Sequence, residues 1–293
     1  MKLGAIEAGG TKFVLGIGNE YGEIKESLTI PTRTPEETVP EVVEYFTDHN
    51  IDALGLASFG PVDIRRTSPT YGRILNTPKL AWRNYPFLQT LKDALQVPVG
   101  FSTDVNAAAL GEKSFGAGQD VETCLYITVG TGIGAGAVIN GKLLEDISHP
   151  EMGHILVRRH PQDDFAGVCP YHGDCLEGLA SGPAIEKRWG KKGVELTDKK
   201  EVWELEAYYL AQALMHYILI LVPGRIMIGG GVAKQKSLFP LIREQVKTLN
   251  NNYFAVPELD EDIERYIVPP GLGDRAGLVG ALVLAKQALD VAE

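Results

Sequence analysis

The sequence predicts an α/β protein built from two related halves, and three observations carry that expectation. Strand-like and helix-like segments are mixed along the whole chain. A β-hairpin with a turn of small residues opens the chain, and a second follows roughly 120 residues later. The 293 residues, 44% of them hydrophobic, suffice for two ordinary cores and argue against disorder.

Leu3–Glu7 is strand-like, Ala8-Gly9-Gly10-Thr11-Lys12 is its turn, and Phe13–Gly18 is the returning strand. Tyr21-Gly22 turns the chain into a third strand, Ile24–Ile30. Pro35–Asn50 reads as a helix, with a threonine at its start, acids in its first turn, and Val39, Val42, Val43 and Phe46 along one side. Ala53–Ala57 is a buried strand, Tyr85–Leu95 a helix and Val97–Ser102 a strand. The alanine-rich stretch Asn106–Lys113 is a helix beginning just after Asp104. The opening pattern then recurs as strand Thr123–Val129, glycine turn Gly130–Gly134 and strand Ala135–Ile139. Further on come a long helix, Glu201–Leu221, and a strand, Arg225–Ile228, that ends in Gly229-Gly230-Gly231. Helix Phe239–Leu249, strand Ile267–Val268 and helix Arg275–Leu289 close the chain.

A net charge of −10 leaves no basic field to attract nucleic acid or anionic lipid. An acidic chain that binds phosphate must do so with local backbone donors. The longest apolar stretch, Ala207–Val222, is interrupted by Gln212 and His216 and is too short to span a bilayer. The N-terminus reads directly into a strand, without the features of a signal peptide. Three cysteines cannot all pair, and Cys124 sits in the apolar run CLYITV, which is the usage of a reducing compartment. A soluble, cytoplasmic protein is expected, without nucleic-acid or membrane partners.

Between Glu151 and Glu177 the chain packs two of its three cysteines and three of its six histidines. Cys169, His172 and Cys175 follow at a spacing of three, so thiolates and an imidazole from one tight turn can converge on a tetrahedral zinc. A fourth ligand should be an upstream histidine: His149, His154 or His160.

Three glycine clusters are candidates for phosphate. GTGIGAG at 130–136 loosely resembles a dinucleotide fingerprint, but that fingerprint needs a helix after the turn, and here the strand-like AVIN follows. Gly136 and Gly141-Lys142 have Walker A spacing, but Leu143 stands where Ser or Thr should hold magnesium. What remains is a hairpin turn, Gly130-Thr131-Gly132, whose successive N–H groups can form an anion-binding concavity with the Thr131 hydroxyl as a further donor. Gly9-Gly10-Thr11-Lys12 offers the same device with a lysine added. Two such turns can grip one phosphate chain from opposite sides of a cleft.

EAGGTK at 7–12, DVNAAALGE at 104–112, TVGTGIGAG at 128–136, EMGH at 151–154, the cysteine/histidine cluster and IGGGVA at 228–233 occur in an order that resembles the ROK family of sugar kinases and repressors. EAGGTKF and the metal loop look closest to the bacterial fructokinases of that family. The resemblance implies a two-domain actin/hexokinase-like fold of duplicated RNase H-like halves, with nucleotide and sugar in the cleft between them. Residues 1–118 plus 276–293 would form the smaller domain, and 119–275 the larger one carrying the zinc loop. The implied activity is ATP-dependent phosphorylation of a hexose, most of all D-fructose to D-fructose 6-phosphate, with magnesium on the ATP, a structural zinc and a homodimer.

The same resemblance assigns residues. Glu7–Lys12 and Val129–Gly134 become the phosphate hairpins, so that Gly9, Gly10, Thr11, Lys12, Thr131 and Gly132 contact ATP. IGGGVA becomes the adenosine motif with Gly230, Gly231, Val232, Ala233 and the following Lys234, and Pro183 of SGPA opens the flanking helix. Asp104 becomes the catalytic base, at a strand-to-helix boundary where an aspartate would otherwise serve as a helix cap. Glu151, His154 and Glu177 become sugar contacts, joined by Thr103, Asn106 and the Gly60-Pro61 turn. His154 becomes the fourth metal ligand beside Cys169, His172 and Cys175. This chain has Glu7 where the family more usually has aspartate, Thr103 where it often has asparagine, and His172 where it more often has cysteine. The competing expectations are another hexokinase activity on mannose or glucose, a non-catalytic sugar-sensing repressor, and a zinc-centred binding module. The repressor requires a helix-turn-helix ahead of the kinase-like part, whereas this chain is acidic and begins in a strand.

Overall fold

The computed structural model describes residues 1–292. Its first sheet holds β1 (Leu3–Ala8), β2 (Lys12–Gly18), β3 (Ile24–Pro31), β4 (Ala53–Ser58) and β5 (Val99–Thr103) in the order β3-β2-β1-β4-β5. β1 pairs antiparallel with β2 and parallel with β4, and β5 continues the parallel side. The second sheet holds β6 (Cys124–Val129), β7 (Ile133–Ile139), β8 (Lys142–Leu143), β9 (Arg225–Gly229) and β10 (Ile267–Val268) in the order β10-β9-β6-β7-β8. Here β6 pairs antiparallel with β7 and parallel with β9, repeating the pattern of β1. The two glycine turns therefore occupy equivalent places, Ala8 facing Phe13 across the first and Val129 facing Ile133 across the second. The antiparallel pairing of β6 and β7 also disposes of the dinucleotide and Walker A matches, since no helix follows either glycine run.

The helices are α1 (Pro35–His49), α2 (Phe87–Leu95), α3 (Asp104–Phe115), α4 (Leu176–Ala180), α5 (Gly182–Trp189), α6 (Lys200–Leu221), α7 (Leu238–Asn250), α8 (Ile263–Tyr266) and α9 (Ala276–Ala292). α1 starts where expected: Pro35 takes the first turn, and Glu37 reaches back to accept from Thr34 N at 3.2 Å. α2 begins at Phe87, two residues later than expected, with Pro86 as the residue preceding the helix. β8, α4 and α8 are too short to leave a periodic signal, and none of the three was expected.

Every residue of β4 is buried, as befits a parallel central strand covered on both faces. α9 lies on β1, β4 and β5, while α3 lies on β6 and β7 and packs against α9. Small residues bring these backbones together. A Cβ at Gly280 would sit 1.6 Å from the Ala107 carbonyl oxygen, and one at Gly136 of β7 would sit 2.3 Å from that of Val105. The two sheets are thus joined through a helix pair, and α3 opens with Asp104 between them. Among the described residues, no helix is long and apolar enough to cross a membrane.

The α3–α9 contact can be tested at Gly280. Helix propensity alone favours Gly280→Ala by up to about 1 kcal/mol, whereas overpacking against a backbone oxygen costs about 1–3 kcal/mol or more. We expect urea unfolding to show net destabilisation, and a stabilised variant would contradict the contact.

Candidate active site

α3 is capped by Thr103, whose Oγ1 accepts from Asn106 N at 3.1 Å. Asp104 therefore stands in the first turn of the helix, not at the cap, and its Oδ1 accepts from Val105 N at 2.9 Å. The helix N-terminus and that bond favour a charged carboxylate. Burial outweighs them and, with repulsion from Glu151, pushes the Asp104 pKa up to about 6. Asp104 nevertheless keeps a face on the cleft. Glu7, on β1, is pushed up to about 7, first by burial and then by the charge of Asp104, against the opposing pull of Lys12. Both carboxyl groups near the turns are thus held above the usual carboxylate range.

Around Asp104 opens a cavity of about 710 Å³, within the usual range for a small-molecule site. The first half of the chain lines it with Gly10, Gly60, Pro61 and Thr103, and the second half with Thr131, Gly132, Glu151, His154 and Glu177. Residues far apart in sequence, such as Gly60 and Glu177, meet here because the C-terminal ends of β1, β4, β5 and β6 all open on the cleft. Asn76, Pro78 and His149 line it too, although nothing in the sequence singled them out as sugar-side residues. His149 Nε2 accepts from Val62 N at 3.3 Å, and its Nδ1 lies 3.4 Å from Glu151 Oε1. The HPEMGH run was the available clue to His149; Asn76 and Pro78 sit in a loop with no pattern to read.

Asn106 differs from expectation. It is fully buried behind the cavity wall, where its amide donates to Ser102 Oγ at 3.1 Å. A residue two positions into α3 points away from the face on which Asp104 opens, and the sequence motif alone does not separate the two.

The nucleotide candidates divide among adjoining cavities. Glu7, Lys12, Gly230, Ala233 and Lys234 share one with Asp104. Thr131, Pro183, Gly231, Val232 and Lys234 share another, with Ile185, Glu186, Lys192, Trp203 and Gln235 as further walls that the sequence did not reveal. Gly230 has φ +89°, and a Cβ there would lie 2.4 Å from the Val129 carbonyl oxygen, so this turn requires glycine to pass the end of β6. Gly9 and Thr11 line none of these cavities: Gly9 N donates to Lys12 O at 2.9 Å and closes the first turn, and Thr11 is exposed.

The metal candidates converge. One ligand atom from each of His154, Cys169, His172 and Cys175 lies within 4.8 Å of the others. Cys169 Sγ is 3.7 Å from both His154 Nδ1 and His172 Nδ1, and Cys175 Sγ is 3.5 Å from His154 Nδ1. Zinc–sulfur and zinc–nitrogen bonds of about 2.3 and 2.0 Å in a tetrahedron require sulfur–nitrogen edges of about 3.5 Å. These three sulfur–nitrogen edges match such an ion, and the residue types are those that bind zinc. His149 and His160 stand outside it.

The sequence model of the ROK family matches residues 3–288. The chain belongs to the ROK family. A homologue from Bacillus subtilis, provisionally named a fructokinase, is 59% identical over 98% of this chain and 96% of its own. The fructokinase of Pediococcus pentosaceus is 46% identical over 99% of both chains. A ROK family glucokinase from Streptomyces griseus, in complex with glucose and AMPPNP, matches with a TM-score of 0.75 at 25% identity, over 98% of this chain and 100% of its own. The two sheets and their helices are the ROK sugar-kinase fold, as the order of motifs implied.

The raised pKa of Asp104 has a thermodynamic consequence. The folded chain holds the Asp104 proton more tightly than the unfolded chain does, so this residue lowers stability as pH rises from about 4 through about 6. Asp104→Asn cannot ionise and escapes that penalty. We expect its stability relative to the wild type to be unchanged near pH 4 and to gain up to about 3 kcal/mol by pH 8. Denaturant unfolding at the two pH values checks this, and a gain at pH 4 that vanishes at pH 8 has the wrong sign.

Proposed function

We propose that this ROK protein transfers the γ-phosphoryl group of ATP to the C6 hydroxyl of D-fructose, giving D-fructose 6-phosphate and ADP. The observation that carries the proposal is the position of Asp104, between the two phosphate turns and the wall of Glu151, His154 and Glu177. Asp104 accepts the proton of the sugar hydroxyl as its oxygen bonds to phosphorus, and ADP leaves in line. Its pKa of about 6 leaves it ionised at neutral pH yet basic enough to take that proton. Backbone N–H groups of the two turns, Thr131 and Lys12 receive the phosphates. Magnesium carried in with ATP would supply charge neutralisation on the transferring group, and Glu7 is the carboxylate beside the first turn.

Glu151, His154 and Glu177 offer acceptors and an imidazole to the sugar hydroxyls, with Thr103, Gly60 and Pro61 completing the wall. Fructose is favoured among hexoses by the names of the relatives and by the form of the metal loop. A zinc ion on His154, Cys169, His172 and Cys175 would be closed by four protein ligands, leaving no position for substrate. Its part is to hold the sugar wall. Residues 1–118 with 276–293 would move as one domain and 119–275 as the other, a division supported by α9 returning to the first sheet. The thiol ligands suit the cytoplasm, and a homodimer is the assembly that the family resemblance implies.

A coupled assay with Mg-ATP and a panel of fructose, mannose and glucose tests the proposal. We expect turnover with fructose at the highest kcat/KM. Absence of phosphorylation on all three sugars would refute it, and a preference for mannose or glucose would refute the choice of sugar alone.

A further inference from the structure

The second phosphate turn is held from outside its own hairpin. Ile133, the residue that closes the turn, donates its N–H to Glu177 Oε2 at 2.9 Å. On the other side, Gly182 N, at the start of α5, donates to the Gly130 carbonyl at 2.7 Å. Both partners come from one short stretch, residues 177–182, which follows the metal loop directly. The packing is equally close, since a Cβ at Gly132 would lie 2.7 Å from Glu177 Oε2. Gly153 of the EMGH segment presses on the same point, where its own Cβ would meet the Ile133 carbonyl oxygen at 1.7 Å.

Glu177 thus has two faces. Oε1 lies 4.0 Å from His154 Nε2, on the sugar side, and Oε2 is engaged by the turn. A hairpin turn rich in glycine loses more backbone entropy on ordering than other sequences do. Gly130 N–H closes the turn on the Gly132 carbonyl at 2.9 Å, and a further restraint from outside leaves the Thr131 and Gly132 donors better preorganised as an anion site. A charge-assisted hydrogen bond to the amide just past the turn, roughly twice as strong as a neutral one, supplies that restraint.

We propose that Glu177 is a positioning residue for the nucleotide-phosphate turn, in addition to its place in the sugar wall. The inference rests on the reading of residues 130–132 as an ATP contact. The carboxylate need not touch the nucleotide: it holds Ile133 N–H, and through it the orientation of the Thr131 and Gly132 donors.

Binding of ADP to the zinc-loaded protein, measured by calorimetry with no sugar present, separates this role from sugar contact. Glu177→Gln keeps an acceptor oxygen for Ile133 N–H, whereas Glu177→Ala removes it. We expect ADP affinity to fall about tenfold in Glu177→Ala, the scale of a lost hydrogen bond to a charged group. It should stay within about threefold of wild type in Glu177→Gln, because a neutral acceptor still closes the bond. Equal weakening in both variants, or none in either, overturns the proposal. If Glu177→Ala does not fold, hydrogen exchange in the wild type decides: the Ile133 amide should be protected, and free exchange would overturn the inference. A wild-type protein that binds no ADP at all would refute the ATP reading itself, and this inference would fall with it.

Discussion

The cleft depends on how closely α3 approaches α9. Ala107 and Gly280 bring their backbones to contact distance, with Gly111 and Ala276 close beside them. Larger side chains there would separate the helices and, with them, the two sheets on which they lie. Because α3 rests on one sheet and α9 on the other, their contact sets how the halves face each other. Asp104 opens α3, so the same crossing decides where its carboxylate points and how much protein surrounds it.

That enclosure creates an electrostatic tension. A helix N-terminus and a backbone donor would ordinarily hold an aspartate low, yet desolvation prevails at Asp104, and Glu7 adds a second half-buried carboxyl within range of its charge. Such a pair costs folding energy at neutral pH, which is common where a group must exchange a proton. The opposite economy governs the metal loop. Its buried Asp163 is paired with Arg188 at 3.1 Å and with the Tyr209 hydroxyl at 2.5 Å, tying the loop to α5 and α6. The Asp104 cleft thus lies between the loop of the metal quartet and the α3–α9 crossing.

Much of this was legible because it is local. The glycine turns, the Cys169–His172–Cys175 spacing and the strand-to-helix junction at Asp104 are written in consecutive residues, and each sits where those residues imply. Choosing His154 over His149 and His160 needed either the family resemblance or the fold, because ligand convergence is set by a turn that spacing does not encode. Asn106 shows the limit within a motif: it is only two positions beyond Asp104, yet it is sealed behind the wall with its amide on Ser102. Asn76 and Pro78 were invisible for a different reason. They come from loops whose approach to the cleft is decided by sheets formed far away in sequence. The restraint on Ile133 by Glu177, 44 residues downstream, belongs to the same class.

The central claim is that Asp104 removes the proton in phosphoryl transfer, and Asp104→Asn tests it most directly when kcat and ligand binding are measured on the same preparation. A lost general base should lower kcat by at least about a hundredfold while ADP and fructose still bind and the zinc content is unchanged. Turnover within a few-fold of wild type would contradict a base at position 104.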